Sequence, residues 1–349
     1  MKDLKYIDDD SYDGVNEKAF KSLKGMTLSN LPNLEGMLRD ERVEMLPLLS
    51  RLELSCVPKI KLPLLPSLED LWIEGTGSDS DYSDSDSQGL ASISDSVVLN
   101  MHHTKILGIT DFHKLKALPH ELSSLSSLQE LKISTCDELE SFSENVMQGL
   151  CSLRSLSINS CEKLKSLSEG VGNLTCLERL YINDCPKLVS LPSSMNQLVS
   201  LRHIYIISSG TLPEGLQHVP SLQSLGAHEL NSIPEWMGEI TSLQKLQLSC
   251  EGLRSLPSSI RNLTNLRELS ISGCHKKLQK RCKRGTGEDW QTIAHIPQFQ
   301  LFPMRQQTFS DKIRSKWRSW QLKRDRRRHH FAKDHTFDYL VDGLFDWCK

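Results

Sequence analysis

One spacing recurs along this chain and restricts its fold more than any other feature. Leu177, Leu180, Ile182, Cys185, Leu188, Leu191, Met195 and Leu198 stand at offsets 0, 3, 5, 8, 11, 14, 18 and 21. Leu153, Leu156, Ile158, Cys161, Leu164, Leu167, Val171 and Leu174 reproduce every offset. Leu128, Leu131, Ile133, Cys136, Leu139, Phe142 and Val146 match through offset 18. Further rungs start at Leu23, Leu49, Leu68, Thr104, Leu201, Leu222, Leu243 and Leu266, about eleven in all. A unit of two dozen residues cannot bury its own apolar face, but a stack of such units makes one continuous core.

The pattern is LxxLxLxx(N/C)xxL, that of a leucine-rich repeat. Its "LxI" step alternates with period 2, which predicts a short strand with both apolar residues facing inward. The "LxxLPxx(I/L/M)" half returns along the outside. It is too short for a full helix, and Pro192 or Pro257 would interrupt one. The expected fold is an α/β-type solenoid, a leucine-rich-repeat horseshoe with a parallel concave sheet and a convex side of loops and 3₁₀ turns. The units starting at Leu201 and Leu222 shrink to 21 residues and lose the Cys, which predicts a tighter local bend.

Two segments break the ladder. The stretch "GTGSDSDYSDSDSQG" at 75–89 is acidic and serine-rich without apolar periodicity, a solvated insertion. After Pro303 the repeat stops and the composition turns basic. The expected organisation is N-terminal repeats over 1–75, the insertion over 76–103, repeats with a C-terminal cap over 104–303, and a tail over 304–349, disordered or part helical. Residues 305–349 hold 12 Lys/Arg against 6 Asp/Glu, leaving 30 against 38 in residues 1–304. An acidic body with a short basic tail does not read as a nucleic-acid-binding domain.

The acidic start, "MKDLKYIDDD", has no apolar core of a secretory signal, and no run of 18 apolar residues suggests a membrane span. The ten cysteines form no CxxC pair and read as reduced thiols of a cytoplasmic protein, with nuclear entry open through the basic tail.

Catalytic and cofactor signals are weak. There is no GxxxxGK[ST], no GxGxxG after a strand, and no GxSxG, so the chain reads as a non-enzyme without catalytic, cofactor or metal-binding residues. Cys136, Cys161 and Cys185 recur once per coil, so they form a row rather than converging on one ion. They read as small buried hydrophobes at a turn. Asp84 to Asp95 nearly fits a calcium loop, but Asp95 replaces the usual Glu and Ala91 a larger apolar residue. Ser78 and Ser83 each have an acid three residues on, as in acidophilic phosphorylation sites. In the tail, Phe309, Ile313, Trp317 and Trp320 would share one face of a basic helix.

What remains is surface. The residue between the two strand apolars points away from the core: Trp72, Gly108, Lys132, Ser157, Tyr181, Tyr205, Gly226, Gln247 and Ser270. Trp72, Tyr181 and Tyr205 are therefore expected as exposed aromatics. With Arg179, Arg202 and His203 they have the composition of a protein-binding hot spot, and Lys132 lies in the same row. Ordinary β-propensity on an exposed strand explains the aromatics equally well.

The stretch "LRELSISGCHKKLQKRCKRGTGEDWQTIAHIPQ" at 266–298 resembles the closing repeat of plant disease-resistance proteins of the nucleotide-binding, leucine-rich-repeat family, coiled-coil subclass. The "C(P/E)KLxSLP" rungs and the repeats at 20–37 and 46–75 are similar to that family too. The glycines of "RGTGEDW" then belong to the solenoid's exit, with Trp290, Ile293 and Ile296 covering the last coil. The resemblance implies a recognition module that binds a pathogen effector or guarded host protein, or packs on a nucleotide-binding switch domain. It also implies ADP or ATP only in that switch domain, which this sequence does not contain. The "MHH" at 101–103 lacks the Asp of that domain's Met-His-Asp motif. The alternative is a stand-alone adaptor unrelated to immunity, such as a ubiquitin-ligase substrate receptor. Neither reading gives an oligomeric state.

Overall fold

The computed structural model describes residues 4–7, 20, 22–36, 46–58, 60–75, 101–250 and 252–303. All of them belong to one compact unit, Met1–Thr308. The near-calcium loop Asp84–Asp95, Ser78 and Ser83, and the basic tail with its Phe309, Ile313, Trp317 and Trp320 face lie outside the described residues.

The described strands form one parallel sheet in strict chain order. They are β1 (Gly25–Ser29), β2 (Arg51–Ser55), β3 (Asp70–Glu74), β4 (Ile106–Thr110), β5 (Glu130–Ser134) and β6 (Ser155–Asn159). Then follow β7 (Arg179–Asn183), β8 (His203–Gly210), β9 (Ser224–Leu230), β10 (Lys245–Ser249), β11 (Glu268–Cys274) and β12 (Gln298–Pro303). This is the leucine-rich-repeat solenoid that the ladder predicts. In register, Leu156, Leu180 and Ile204 pair along one row, as do Ile158, Ile182 and Ile206. Nearly every ladder leucine is fully buried, and burying one contributes about 1.5–3 kcal/mol.

The return path is mostly 3₁₀, as the prolines predict. The turns Ser193–Gln197, Glu235–Glu239 and Ser258–Asn262 each start directly after a proline, Pro192, Pro234 or Pro257. Among the described return segments a short α-helix, α1 (Glu144–Gly149), forms in the 25-residue unit between Leu128 and Leu153, whereas the next unit, also without a proline, keeps a 3₁₀ turn at Glu169–Asn173. Its N-terminus is capped by Ser143 Oγ, which accepts from the Val146 N–H at 3.3 Å. Adjacent turns are also stapled. The Glu169 carboxylate accepts from the backbone N–H of Ser194 at 2.9 Å and of Ser193 at 3.2 Å, and Glu235 repeats the arrangement with Ser259 and Ser258.

The chain turns one residue before the apolar position that is Cys136, Cys161 and Cys185 in three units and Leu31, Val57 and Phe112 in others. Asn30, Cys56, Asp111, Thr135, Ser160 and Asp184 all have φ between 50° and 60°, the left-handed region. The N–H of each donates to a strand carbonyl of the next coil, for example Thr135 to Asn159 at 2.9 Å and Asp184 to Ile207 at 2.8 Å. The cysteines behind these turns are buried. Cys161 and Cys185 each donate their thiol at 3.5 Å to the carbonyl two residues earlier, Asn159 and Asn183. The same left-handed position recurs at Glu229, φ 61°, in the short unit from Leu222 and at Gly273, φ 69°, in the unit from Leu266.

At the C-terminal end, α2 (Lys276–Arg281) and α3 (Trp290–Ile293) cross the last coil. Ile293 and Ile296 are buried and Trp290 is half-buried against Phe299, ring centroids 6.4 Å apart. The sheet then gains a strand that the ladder did not anticipate: β12 pairs with β11, placing Phe299 beside Leu269 and Leu301 beside Ile271.

Candidate functional site

The open face of the sheet is built by strand alternation alone. Consecutive ladder pairings align Glu53, Trp72, Gly108, Lys132, Ser157, Tyr181, Tyr205, Gly226, Gln247 and Ser270 in one row, one residue per coil. A second row on the same face runs Arg51, Asp70, Ile106, Glu130, Ser155, Arg179, His203, Ser224, Lys245 and Glu268. Arg202 precedes this row by one residue. The seven residues singled out in the sequence thus lie on or beside this face. Trp72 and Lys132 sit two coils apart, and Arg179, Tyr181, Arg202, His203 and Tyr205 cluster on β7, on β8 and directly before β8.

One expectation fails. Tyr181 and Tyr205 are each only 6% exposed, and Lys132 only 7%. The large side chains lie along the face across neighbouring coils instead of standing out from it. Gly226 leaves room for the Tyr205 ring, which would sit 2.5 Å from a Cβ there, and the His228 ring packs 5.1 Å from it. Gly108 does the same for Trp72, whose indole occupies the place of a side chain. Lys132 Nζ reaches over that indole at 5.4 Å from its centroid. The Trp72 N–H donates to Asp70 Oδ1 at 2.7 Å. Burial raises the Asp70 carboxyl, opposed by the Arg51 guanidinium 3.5 Å away.

Charge along the face is paired almost throughout. Arg51 meets Glu53 at 2.8 Å, Lys132 meets Glu130 at 3.6 Å, and Lys245 meets Glu268 at 3.3 Å. One residue before the strands, Lys105 meets Glu69 and Arg154 meets Glu178, both at 2.7 Å. Lys24 and Arg267, one residue before β1 and β11, have no ion pair among the described residues, and Arg179 and Arg202 are the other exceptions. Neither has an ion pair among the described residues, because Glu178, between Arg154 and Arg202, is taken by Arg154. Burial, then Arg179 and Arg202, hold the His203 imidazole below its ordinary range. Nearby, Tyr205 OH and Ser224 Oγ are buried without a hydrogen-bond partner.

The rest of the molecule offers less. No group of three or more metal-ligating side chains occurs among the described residues. Burial pushes the Cys136 thiol up, and Cys250 up to about 12, the opposite of an activated nucleophile. No helix among the described residues is long and apolar enough to cross a membrane. Sequence reasoning missed the latch of the cap. Asp289, 5% exposed, accepts from Leu256 N at 3.0 Å and from Arg281 Nη2 at 2.6 Å. A side chain on Gly287 would collide with the Arg281 carbonyl, which is why that glycine precedes the acids.

This chain is similar to several known proteins over part of its length. Disease resistance RPP8-like protein 3 of Arabidopsis thaliana is 33% identical over 87 residues, 24% of this chain and 9% of its own length. Putative disease resistance protein RGA4 of Solanum bulbocastanum is 38% identical over 52 residues, 15% of this chain and 5% of its own. The matched segments therefore span a tenth or less of these relatives. Among solved structures, the leucine-rich repeat domain of the type III effector XopL aligns at 21% identity and a TM-score of 0.40. It covers 80% of this chain and 76% of that one. Internalin C2 of Listeria monocytogenes aligns at 14% identity and a TM-score of 0.36, over 58% of this chain and 83% of that one. The family model described as a leucine-rich repeat region matches residues 109–320, more than half of the sequence. With its single parallel sheet, buried leucine rows and outer 3₁₀ turns, this chain belongs to the leucine-rich repeat region family.

Proposed function

We propose that this chain is a defence-related recognition module of a plant protein, which binds a pathogen effector or a guarded host protein through the open face. The observation that carries the reading is the row Trp72, Lys132, Tyr181 and Tyr205, with Arg179, Arg202 and His203 alongside, in a chain whose curated relatives are disease-resistance proteins. Large aromatics and arginines on a regular scaffold suit a protein interface, since such residues carry most of the energy at hot spots. No catalytic residue, cofactor or metal is assigned to this chain. Its setting is cytoplasmic, with nuclear entry through the basic tail.

In a longer relative, the same repeats would restrain a nucleotide-binding switch domain, which alone would hold ADP or ATP. A partner that binds the open state better shifts the population, and about 5.5 kcal/mol of difference takes 1:99 to 99:1.

The test is affinity capture from plant tissue with the wild-type chain and with Trp72→Ala and Tyr205→Ala variants of verified fold, joined to pathogen challenge of plants lacking the gene. The reading expects a partner lost in the variants and weakened resistance. An unchanged partner set with unchanged resistance would leave the adaptor reading in its place.

A further inference from the structure

The charge pattern of the open face is regular until coils seven and eight. Seven cations on or beside the two rows, from Arg51 to Lys245, behave in two ways, and Lys132 meets Glu130 at 3.6 Å. Arg51, Lys105, Arg154 and Lys245 each meet a carboxylate at 3.3 Å or less. Arg179 and Arg202 meet none among the described residues. They are half-buried and exposed respectively, and they sit on adjacent coils with His203 in register beside Arg179. Adjacent parallel strands lie about 4.8 Å apart, so the two guanidinium groups reach one small region. Holding like charges together costs free energy unless an anion joins them, and a guanidinium fork is shaped for a carboxylate.

A second observation falls on the adjoining coils, where Ser224 is in register with His203 and the Tyr205 ring leans over Gly226. Tyr205 OH and Ser224 Oγ, 6% and 5% exposed as residues, have no hydrogen-bond partner. A buried polar group left unpaired costs about 1–3 kcal/mol. Both are hydroxyls able to donate, so an acceptor satisfies them once the side chains that cover them move aside.

We infer that Arg179, Arg202 and His203, with the hydroxyls of Tyr205 and Ser224, form an anion clamp for an acidic segment of a protein partner. This rests on the reading of the open face as an interaction surface and adds the chemistry of what it takes. Carboxylates of Asp or Glu accept from both arginines, and the tyrosine rings supply the apolar floor beneath the segment's backbone. Attraction of this kind is screened within about 8 Å at physiological salt, so it favours an acidic segment laid directly on the patch.

The experiment uses the full chain and a fluorescein-labelled octapeptide of alternating Glu and Gly, read by anisotropy in low salt. The controls are the same peptide with Gln for Glu and a ten-nucleotide single-stranded DNA. The clamp predicts binding of the Glu peptide that weakens at least tenfold in Arg179→Gln/Arg202→Gln. It also predicts little change in Arg326→Gln/Arg327→Gln, which removes equal charge from the tail. Equal binding of the Gln peptide, or equal loss in the tail variant, would overturn it. So would tighter binding of the oligonucleotide through the same two arginines. The interaction reading is judged separately by partner capture. A partner lost in Tyr205→Ala but retained in Arg179→Gln/Arg202→Gln leaves the face intact and removes the clamp.

Discussion

Asp289 holds Arg281 and the last coil at once: its carboxylate takes the guanidinium Nε at 3.0 Å and the Leu256 N–H, also at 3.0 Å. The cap is thereby bound to a segment 33 residues away in sequence. Removing a partnered buried carboxylate leaves both donors unsatisfied, so Asp289→Ala should cost about 2–4 kcal/mol. Urea unfolding followed by hydrogen exchange of β11 and β12 reads this. Protection should fall there first, while β5 to β7 keep theirs.

The left-handed turn residue offers a gain in stability. Thr135 is β-branched yet sits at φ 56°, where Asn30 and Asp184 serve other coils. Replacing it by Gly, or by Asn as in the first coil, removes strain worth about 1 kcal/mol. The urea midpoint should rise in Thr135→Asn and Thr135→Gly. An equal or lower midpoint in both would contradict the strain argument.

His228 predicts an acid limb. Burial holds its imidazole down to about 4, from an ordinary 6.5. Between those values the unfolded chain takes up a proton that the folded chain refuses. The stability is full above about pH 6.5 and falls as pH drops toward 4, by about 1.4 kcal/mol per unit at most. Unfolding measured at pH 7.5 and 5 should show the loss in the wild type and a smaller one in His228→Gln. Identical pH dependence in the two would rule His228 out as the cause.

Thiol labelling separates the cysteines by position. Cys151 and Cys176 are exposed, whereas Cys136, Cys161 and Cys185 are buried within the turns. Iodoacetamide followed by peptide mass mapping should modify the first pair in native protein and the row of three only after unfolding, since the thiolate is the nucleophile. Fast modification of Cys136, whose thiol burial pushes up, would contradict its placement.

Much of this architecture was legible because the repeat keeps its offsets. The open-face row from Trp72 to Ser270 could be written from the sequence, since strand alternation fixes one outward residue per coil. The burial of Tyr181 and Tyr205 could not, because it depends on what the neighbouring coils leave free, as Gly226 does for Tyr205. The turn was legible at the Cys position, but not its left-handed residue one place earlier, because Asn, Cys, Asp, Thr, Ser and Asp share no single side-chain signature. Asp289 was hidden by distance: its partner is a backbone N–H in another coil. The strand β12 follows the cap and so falls outside the period, and only the inward Phe299 and Leu301 of "QFQLF" hinted at it. The unpaired state of Arg179 and Arg202 rests on Glu178 choosing Arg154, a choice between neighbours that sequence leaves open.

The strict register has an evolutionary side. Each coil contributes its outward side chains at fixed places, and the leucines that hold it lie on the other face. A mutation at an exposed position such as Arg202 therefore alters one square of a surface mosaic without touching the rows behind it. New specificities become reachable through single replacements, each tolerated by the fold before selection judges it. A scaffold of this kind stores variation cheaply, coil by coil.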